Sequence, residues 1–382
     1  MNRFNAPRAA VVFPFLTAAL FGLSGCDEGG QDTTGGSGGS GSTSVSSAGG
    51  ASGTGSTSGN GGAGGSGGES PGEYVGYHVN GRFLHDRCGE KVVLRGVNEM
   101  IVWSNGKDGE PEFAEIAKTG ANAVRIVWLI EEPAAGLDQA IQNALAQKLI
   151  PIVELHNATG DLSKLPDLVN YWTKPDVVAA IKKHEQELLV NIGNEVGDNM
   201  VSKDQFETGY KSAITAMRGA GIRTPLVIDG SSWGQDIDML QATGPALIAH
   251  DPDHNVLLSV HMWWTDGNAT KITNELNESV QMNLPLIVGE FAQHAVYQCA
   301  ANPFDYKAFL AKAQELDIGW LAWSWGGVEN GDCKDMGSFD MTVGGVYGNW
   351  KETWGEDVAV KDANSIKNTS VRPVSMVNGA CK

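Results

Sequence analysis

The chain has 382 residues, a formal net charge of −18 and a pI near 4.8. A surface that acidic repels phosphate backbones and anionic headgroups, which argues against nucleic acid or a bare membrane surface as a partner. It is compatible with an uncharged polymer and equally with plain solubility, and charge alone does not choose between them.

Residues 1–26 read as an export signal. Arg3 and Arg8 give a positive start, and the run from Ala9 to Leu23 is apolar but short for a membrane span. Leu23-Ser24-Gly25-Cys26 resembles the box at which bacterial lipoprotein signals are processed, leaving Cys26 as the acylated first residue. An ordinary secretory signal with a stray cysteine is the alternative. The first reading puts the protein outside the cytoplasm, held to a bacterial membrane or cell surface only by acyl chains on Cys26.

Residues 27–72 are nearly all Gly, Ser, Thr and Ala. Such a stretch cannot bury enough surface to offset its ordering entropy, so it reads as a flexible tether with a reach of roughly 35–40 Å. Residues 73–382 remain as one folded domain, of the size of a single barrel. Apart from Cys26, the cysteines are Cys88, Cys299, Cys333 and Cys381, an even number that suggests two disulfides in an exported chain. No CxxC or HExxH occurs, so neither a metal site nor a cofactor is expected.

From residue 77 to 95, apolar and polar residues alternate around Asn80-Gly81 and Cys88-Gly89, each a hairpin signal. Eight short apolar runs follow: Val93–Asn98, Ala123–Trp128, Ile150–Leu155, Leu188–Glu195, Pro225–Gly230, Val256–Met262, Pro285–Phe291 and Gly319–Trp325. Segments between them, such as Lys174–Glu187, Phe206–Ala220 and Asp305–Leu316, have apolar residues at helical spacing. Apolar strands alternating with helices imply an α/β fold with a covered parallel sheet. Eight such units imply a closed (β/α)₈ TIM barrel whose site lies at the C-terminal strand ends. An open doubly wound sheet is less favoured, because no glycine-rich phosphate turn follows an early strand.

Read in order, the strand ends offer Asn98-Glu99, Arg125, His156-Asn157, Asn194-Glu195, Asp229, His261, Glu290 and Trp323. Hydrolysis of a glycosidic bond needs two carboxyl groups in different protonation states, one to protonate the leaving oxygen and one to attack or to activate water. Spacing does not say which of Glu99, Glu195, Asp229 and Glu290 form that pair. The run His250–His254, with Asp251 and Asp253, reads as a helix-to-strand turn rather than a metal loop.

The segments Gly193-Asn194-Glu195, Val288-Gly289-Glu290-Phe291, Ala123-Val124-Arg125-Ile126 and Leu321-Ala322-Trp323-Ser324-Trp325 resemble those of glycoside hydrolase family 5, retaining enzymes built on (β/α)₈ barrels. Within it, Glu154-Leu155-His156-Asn157-Ala158-Thr159-Gly160 and Ser259-Val260-His261-Met262 look like bacterial endo-β-1,4-mannanases. The resemblance implies Glu195 as acid/base and Glu290 as nucleophile, with Arg125 holding Glu290 ionised and Asn194 on the sugar 2-hydroxyl. His156 and His261 would line the cleaved subsite and Trp323 its floor, unless they are ordinary packing. It implies a neutral β-linked polysaccharide substrate, cut by an endo-acting retaining mannanase working as a monomer. An endo-β-1,4-glucanase and a non-catalytic oligosaccharide-binding lipoprotein are the alternatives.

The chain also departs from the family. Trp263 stands where a tyrosine usually bonds the nucleophile, and an indole N–H can donate but not accept. Asn157 stands where mannanases often carry Asp. Trp103, Trp233, Trp263 and Trp264 follow strand ends and are candidates for stacking on pyranose rings. The family's N-terminal hairpin plugs the barrel bottom, which suggests pairing Cys88 with Cys381 there. Cys299 and Cys333, in neighbouring loops on the opposite face, would then form the second bridge.

Overall fold

The expected hairpin forms a three-stranded antiparallel sheet of His78–Asn80, Phe83–His85 and Lys91–Val92. The structure, a computed structural model, describes residues 76–297, 300–331, 336–378 and 381. The proposed signal, Cys26 and the tether therefore lie outside the described residues, as does the Cys299–Cys333 pairing.

Eight parallel strands close into a barrel: Arg95–Glu99, Ala123–Trp128, Ile150–Leu155, Leu189–Asn191, Leu226–Asp229, Val256–His261, Leu286–Glu290 and Gly319–Ala322. Helices such as Ala134–Ala146, Lys203–Gly219, Ala269–Gln281 and Tyr306–Glu315 connect them. Each strand buries all of its residues, because one face fills the barrel and the other packs under helices. Helix starts are set by local chemistry: Ser202 and Gln205 form a reciprocal capping box, and Asp305 accepts from the Ala308 N–H.

Two expected strands stop three or more residues before the ends of their apolar runs. The fourth stops at Asn191, four residues before Glu195. There the backbone leaves the ladder: Asn194 N–H bonds Leu155 O at 2.9 Å, and Glu195 takes a left-handed φ of +50°. The eighth stops at Ala322, just ahead of a cis peptide bond between Trp323 and Ser324. Beyond the seventh strand lies an antiparallel ribbon, His294–Tyr297 with Ala300–Pro303, which no apolar run announced.

The small sheet closes the barrel's N-terminal end. Tyr77, Leu84 and Val92 pack with Leu94, Ala123, Ile150, Leu189, Val227, Leu257, Ile287 and Leu321, residues at or near the starts of the barrel strands. Met376, in the C-terminal helix Val374–Asn378, joins the same cluster. A disulfide links Cys88 to Cys381 beside it, with Cα atoms 5.3 Å apart, as the sequence suggested. The run around His254 is structural: Asp251 accepts two bonds from Arg218 at 2.8 Å and closes the turn into the sixth strand.

Candidate active site

Arg125 organises the C-terminal end of the barrel. It sits in the middle of the second strand rather than at its end, wholly buried, and uses all three guanidinium nitrogens. Nη1 donates to Glu290 Oε1 at 2.8 Å and Asn98 Oδ1 at 3.0 Å, Nε to Asn191 Oδ1 at 2.9 Å, and Nη2 to Asn194 Oδ1 at 2.8 Å and Asp229 Oδ2 at 3.3 Å. Five strands are thereby tied through one cation. Asn191 and Asn98 fix where the fork points, so its bond to Glu290 is imposed by the scaffold.

His261, from the sixth strand, joins the carboxylates. Its Nδ1 lies 2.8 Å from Glu195 Oε1 and 3.5 Å from Glu290 Oε2, and its Nε2 lies 3.4 Å from Asp229 Oδ2. Glycines make room for the ring: a Cβ on Gly234 would land 2.7 Å from His261 Cγ, and one on Gly289 2.8 Å from Nε2. Oxygens of Glu195 and Glu290 and a ring nitrogen of His261 lie within 4.8 Å of one another. These donor types and distances would suit a metal ion, but Arg125, Trp263 and the His261 ring already face the carboxylate oxygens. The sequence's four candidate carboxylates thus divide. Glu195 and Glu290 form the close pair, Asp229 braces Arg125 and His261, and Glu99 turns away to accept the N–H groups of Gly327 and Val328.

Charge in the cluster is set by proximity. Burial opposes a positive His261, but Glu290, Asp229 and the hydrogen bonds overcome it and push the ring up to about 10. Burial would raise Asp229, yet His261 and Arg125 hold it down to about 2. Burial likewise opposes charge on His156, and Glu154, 2.9 Å away, raises it. Burial pushes Glu290 up to about 7, with His261 and Arg125 pulling it back and Glu195 pushing with burial. Arg125, His156 and His261 thus stand among four carboxyl groups, Glu154, Asp229, Glu195 and Glu290.

Aromatic groups line the same end. His156 stacks on Trp323 with ring centroids 6.3 Å apart and meets the Trp103 edge at 5.7 Å. Trp263 donates its N–H to Glu290 Oε2 at 3.1 Å and packs on Phe339, so its contact is with a carboxylate as well as the cleft wall. Trp233 is half-buried over Gly160. Trp264 is a correction: it is buried and bonds Gln235 O at 2.9 Å, which makes it packing rather than a stacking surface. Asn157 joins two loops, accepting from Ile130 N–H and donating to Glu131. Glu154 and Asn191 escaped the reading of strand ends because they lie inside apolar runs. A charge inside such a run is itself a signal, since buried charges are found paired.

Comparison with known proteins decides the family. Residues 85–329 match the family described as cellulase (glycosyl hydrolase family 5). The chain belongs to glycoside hydrolase family 5. This glycoside hydrolase is 34% identical over 308 residues to the mannan endo-1,4-beta-mannosidase of Streptomyces lividans, covering 77% of this chain and 76% of that one. It is 32% identical over 310 residues to the mannan endo-1,4-beta-mannosidase of Cellvibrio japonicus, covering 77% and 68%. A mannohexaose complex of the Thermomonospora fusca β-mannanase superposes with a TM-score of 0.70 at 29% identity, covering 79% of this chain and 99% of that structure.

Proposed function

We propose that this glycoside hydrolase cleaves internal β-1,4-mannosidic bonds in mannan, glucomannan or galactomannan by double displacement. The observation that carries the mechanism is the closeness of Glu195 and Glu290, with carboxyl oxygens within 4.8 Å. Retaining glycosidases hold their carboxyl groups about 5–5.5 Å apart, whereas inverting ones leave about 6.5–9.5 Å for a water. Glu290 is the nucleophile: Arg125 and Trp263 each present a donor that cannot accept, one to each of its oxygens. Glu195, as the acid, delivers a proton to the leaving oxygen as Glu290 attacks the anomeric carbon. It then takes a proton from the water that releases the sugar. Asn194, pinned by Arg125 and by Thr159, contacts the 2-hydroxyl, while His156 and Trp323 border the reacting ring.

Mannose as the sugar is supported by the two mannosidase relatives. The test is reducing-sugar release from galactomannan, glucomannan and carboxymethylcellulose. Release from the two mannose polymers with retained anomeric configuration by NMR is expected. Release from carboxymethylcellulose alone overturns the substrate, and release from none overturns the enzyme reading. Glu290→Ala abolishes turnover, while Glu195→Ala still cleaves activated aryl mannosides, which need no proton for departure. The reverse pattern would exchange the two roles.

The same reading makes the enzyme a monomer anchored by acyl chains on Cys26, its tether letting the domain reach polymer outside the cell. Cys26→Ser then moves the protein from the membrane to the soluble fraction. Retention in the membrane fraction would sink the anchor.

A further inference from the structure

Trp323 has one polar atom, and its partner is unusual in how fully it is constrained. Nε1 donates to Asn330 Oδ1 at 3.0 Å. An indole N–H only donates, so the amide oxygen of Asn330 must face it, and the amide NH₂ must face the other way. There it donates to Asp340 Oδ1 at 2.6 Å and to Ser324 Oγ at 2.9 Å, and the Asn330 backbone N–H adds a second bond to the aspartate at 3.2 Å. Asp340 is wholly buried, and its other oxygen accepts from Lys351 Nζ at 2.9 Å. Asn330 is 4% exposed, so water is no substitute for these partners. The chain of polarity runs one way: donor-only indole, amide, acceptor-only carboxylate, cation.

This chain holds a side chain beside the reacting centre. The Trp323 backbone N–H bonds Phe291 O at 2.9 Å, one residue past Glu290, and its ring lies over His156. Upstream, the loop segment between Trp323 and Asn330 is hung from the Glu99 carboxylate through the N–H groups of Gly327 and Val328. Among the described residues the indole N–H has the amide of Asn330 as its partner, which together with the packing of the buried ring sets its tilt.

We propose that Asn330 and Asp340 are positioning residues that fix the plane of Trp323 against the sugar undergoing cleavage, acting through donor–acceptor order rather than through contact with substrate. The proposal rests on the reading that Trp323 borders the reacting ring of a mannan chain. Exchange of amide for carboxylate is isosteric, which makes the order testable without changing volume. Asn330→Asp keeps an acceptor for the indole but sets a second carboxylate against Asp340. Asp340→Asn removes the acceptor charge that orients the amide and holds Lys351. The double exchange N330D/D340N again places one amide opposite one carboxylate.

The experiment measures kcat and KM on 1,4-β-mannohexaose for wild type, both single variants and the double, with near-UV circular dichroism as a signature of indole packing. Each single variant should lower kcat at least tenfold with KM changed less than threefold, and should alter the near-UV spectrum. The double should recover most of the lost kcat. Asn330→Ala stands in if Asn330→Asp does not fold, with the same loss of kcat expected and no like-charge contact to blame. In a Trp323→Phe background, which lacks the N–H, Asn330→Ala should cost no further kcat. Wild-type kcat in folded N330D and N330A, or no recovery in the double, overturns the proposal. If the wild type fails to cleave mannohexaose, the substrate reading falls separately. The near-UV comparison then still decides, an unchanged indole signal in N330D counting against the pair.

Discussion

Both oxygens of Glu290 receive bonds from groups that never accept one, the Arg125 guanidinium at 2.8 Å and the Trp263 indole at 3.1 Å. A phenol in place of the indole could turn its hydroxyl and accept a proton. An indole cannot, so it stabilises the carboxylate in every state of the enzyme. Trp263→Phe keeps the aromatic wall and removes only the N–H. A hydrogen bond to a charged acceptor contributes about 1.5–3 kcal/mol, so kcat/KM should fall roughly 10- to 150-fold. The lost donor had favoured the ionised form, and without it the Glu290 carboxyl gains its proton at higher pH. The acid limb of the kcat/KM profile should therefore move to higher pH in the variant. An unmoved limb with wild-type rate would show that the indole N–H does nothing for the proposed nucleophile.

Secondary-structure elements carry a second pH dependence, at the junction of the first and eighth strands. Glu99 ends the first strand and accepts N–H groups from Met100, Gly327 and Val328. Those donors favour its charged form, but burial and nearby Glu112 outweigh them and push it up to about 8. Its ordinary value is 4.5, so the folded protein binds a proton here that the unfolded chain releases between the two values. Stability from this group is complete below about 4.5 and is lost as pH rises toward 8. Glu99→Gln is neutral throughout, so its melting temperature relative to wild type should climb as pH goes from 5 to 9. A constant or falling difference in paired melts would contradict the assignment. The same junction shows what the sequence could convey. Ala123–Trp128 and Ile150–Leu155 were legible to the residue, because strands buried on both faces are unbroken apolar runs. Where a strand gives way to the site, that reading overshoots: the run was carried on to Glu195, yet the strand ends at Asn191 and Glu195 takes a left-handed φ. Glu195 and Glu290 were recognisable from motif resemblance, whereas the partners Asn191, Glu154 and Asn330 needed three-dimensional distances. The ribbon at His294–Tyr297 left no apolar pattern to read.

At the scale of the whole molecule, the catalytic end and the closed end are separate problems in one barrel. The Glu195–Glu290 pair occupies the C-terminal ends of the strands. The starts of the strands are sealed by the small sheet and the last helix, which the Cys88–Cys381 bridge ties together. That bridge spans 293 positions of sequence. Chain-entropy arguments put such a closure at the upper end of disulfide effects, about 5 kcal/mol, with realised values often smaller. Part of the closed end is also held by bonds that survive reduction, such as Arg87 to Ser375 O at 3.5 Å and Ser375 N–H to Asp86 at 3.4 Å, both long and therefore weak. The covalent link adds to these and to the bonds of Asn122 to Val371 O at 2.9 Å and of Arg372 to Ala117 O and Ala121 O at 3.1 Å. Replacing both cysteines, Cys88→Ser with Cys381→Ser, should lower the melting temperature by on the order of 10 °C. At 25 °C kcat should stay within twofold of wild type, because the bridge lies at the opposite end of the barrel from the two glutamates. Thermal melts paired with mannohexaose kinetics check both halves. An unchanged melting temperature would mean that the packing of Met376 and Tyr77 alone seals the barrel. A large fall in kcat at 25 °C would mean that the two ends are coupled through the strands, and that separation of stability from catalysis would have to be given up.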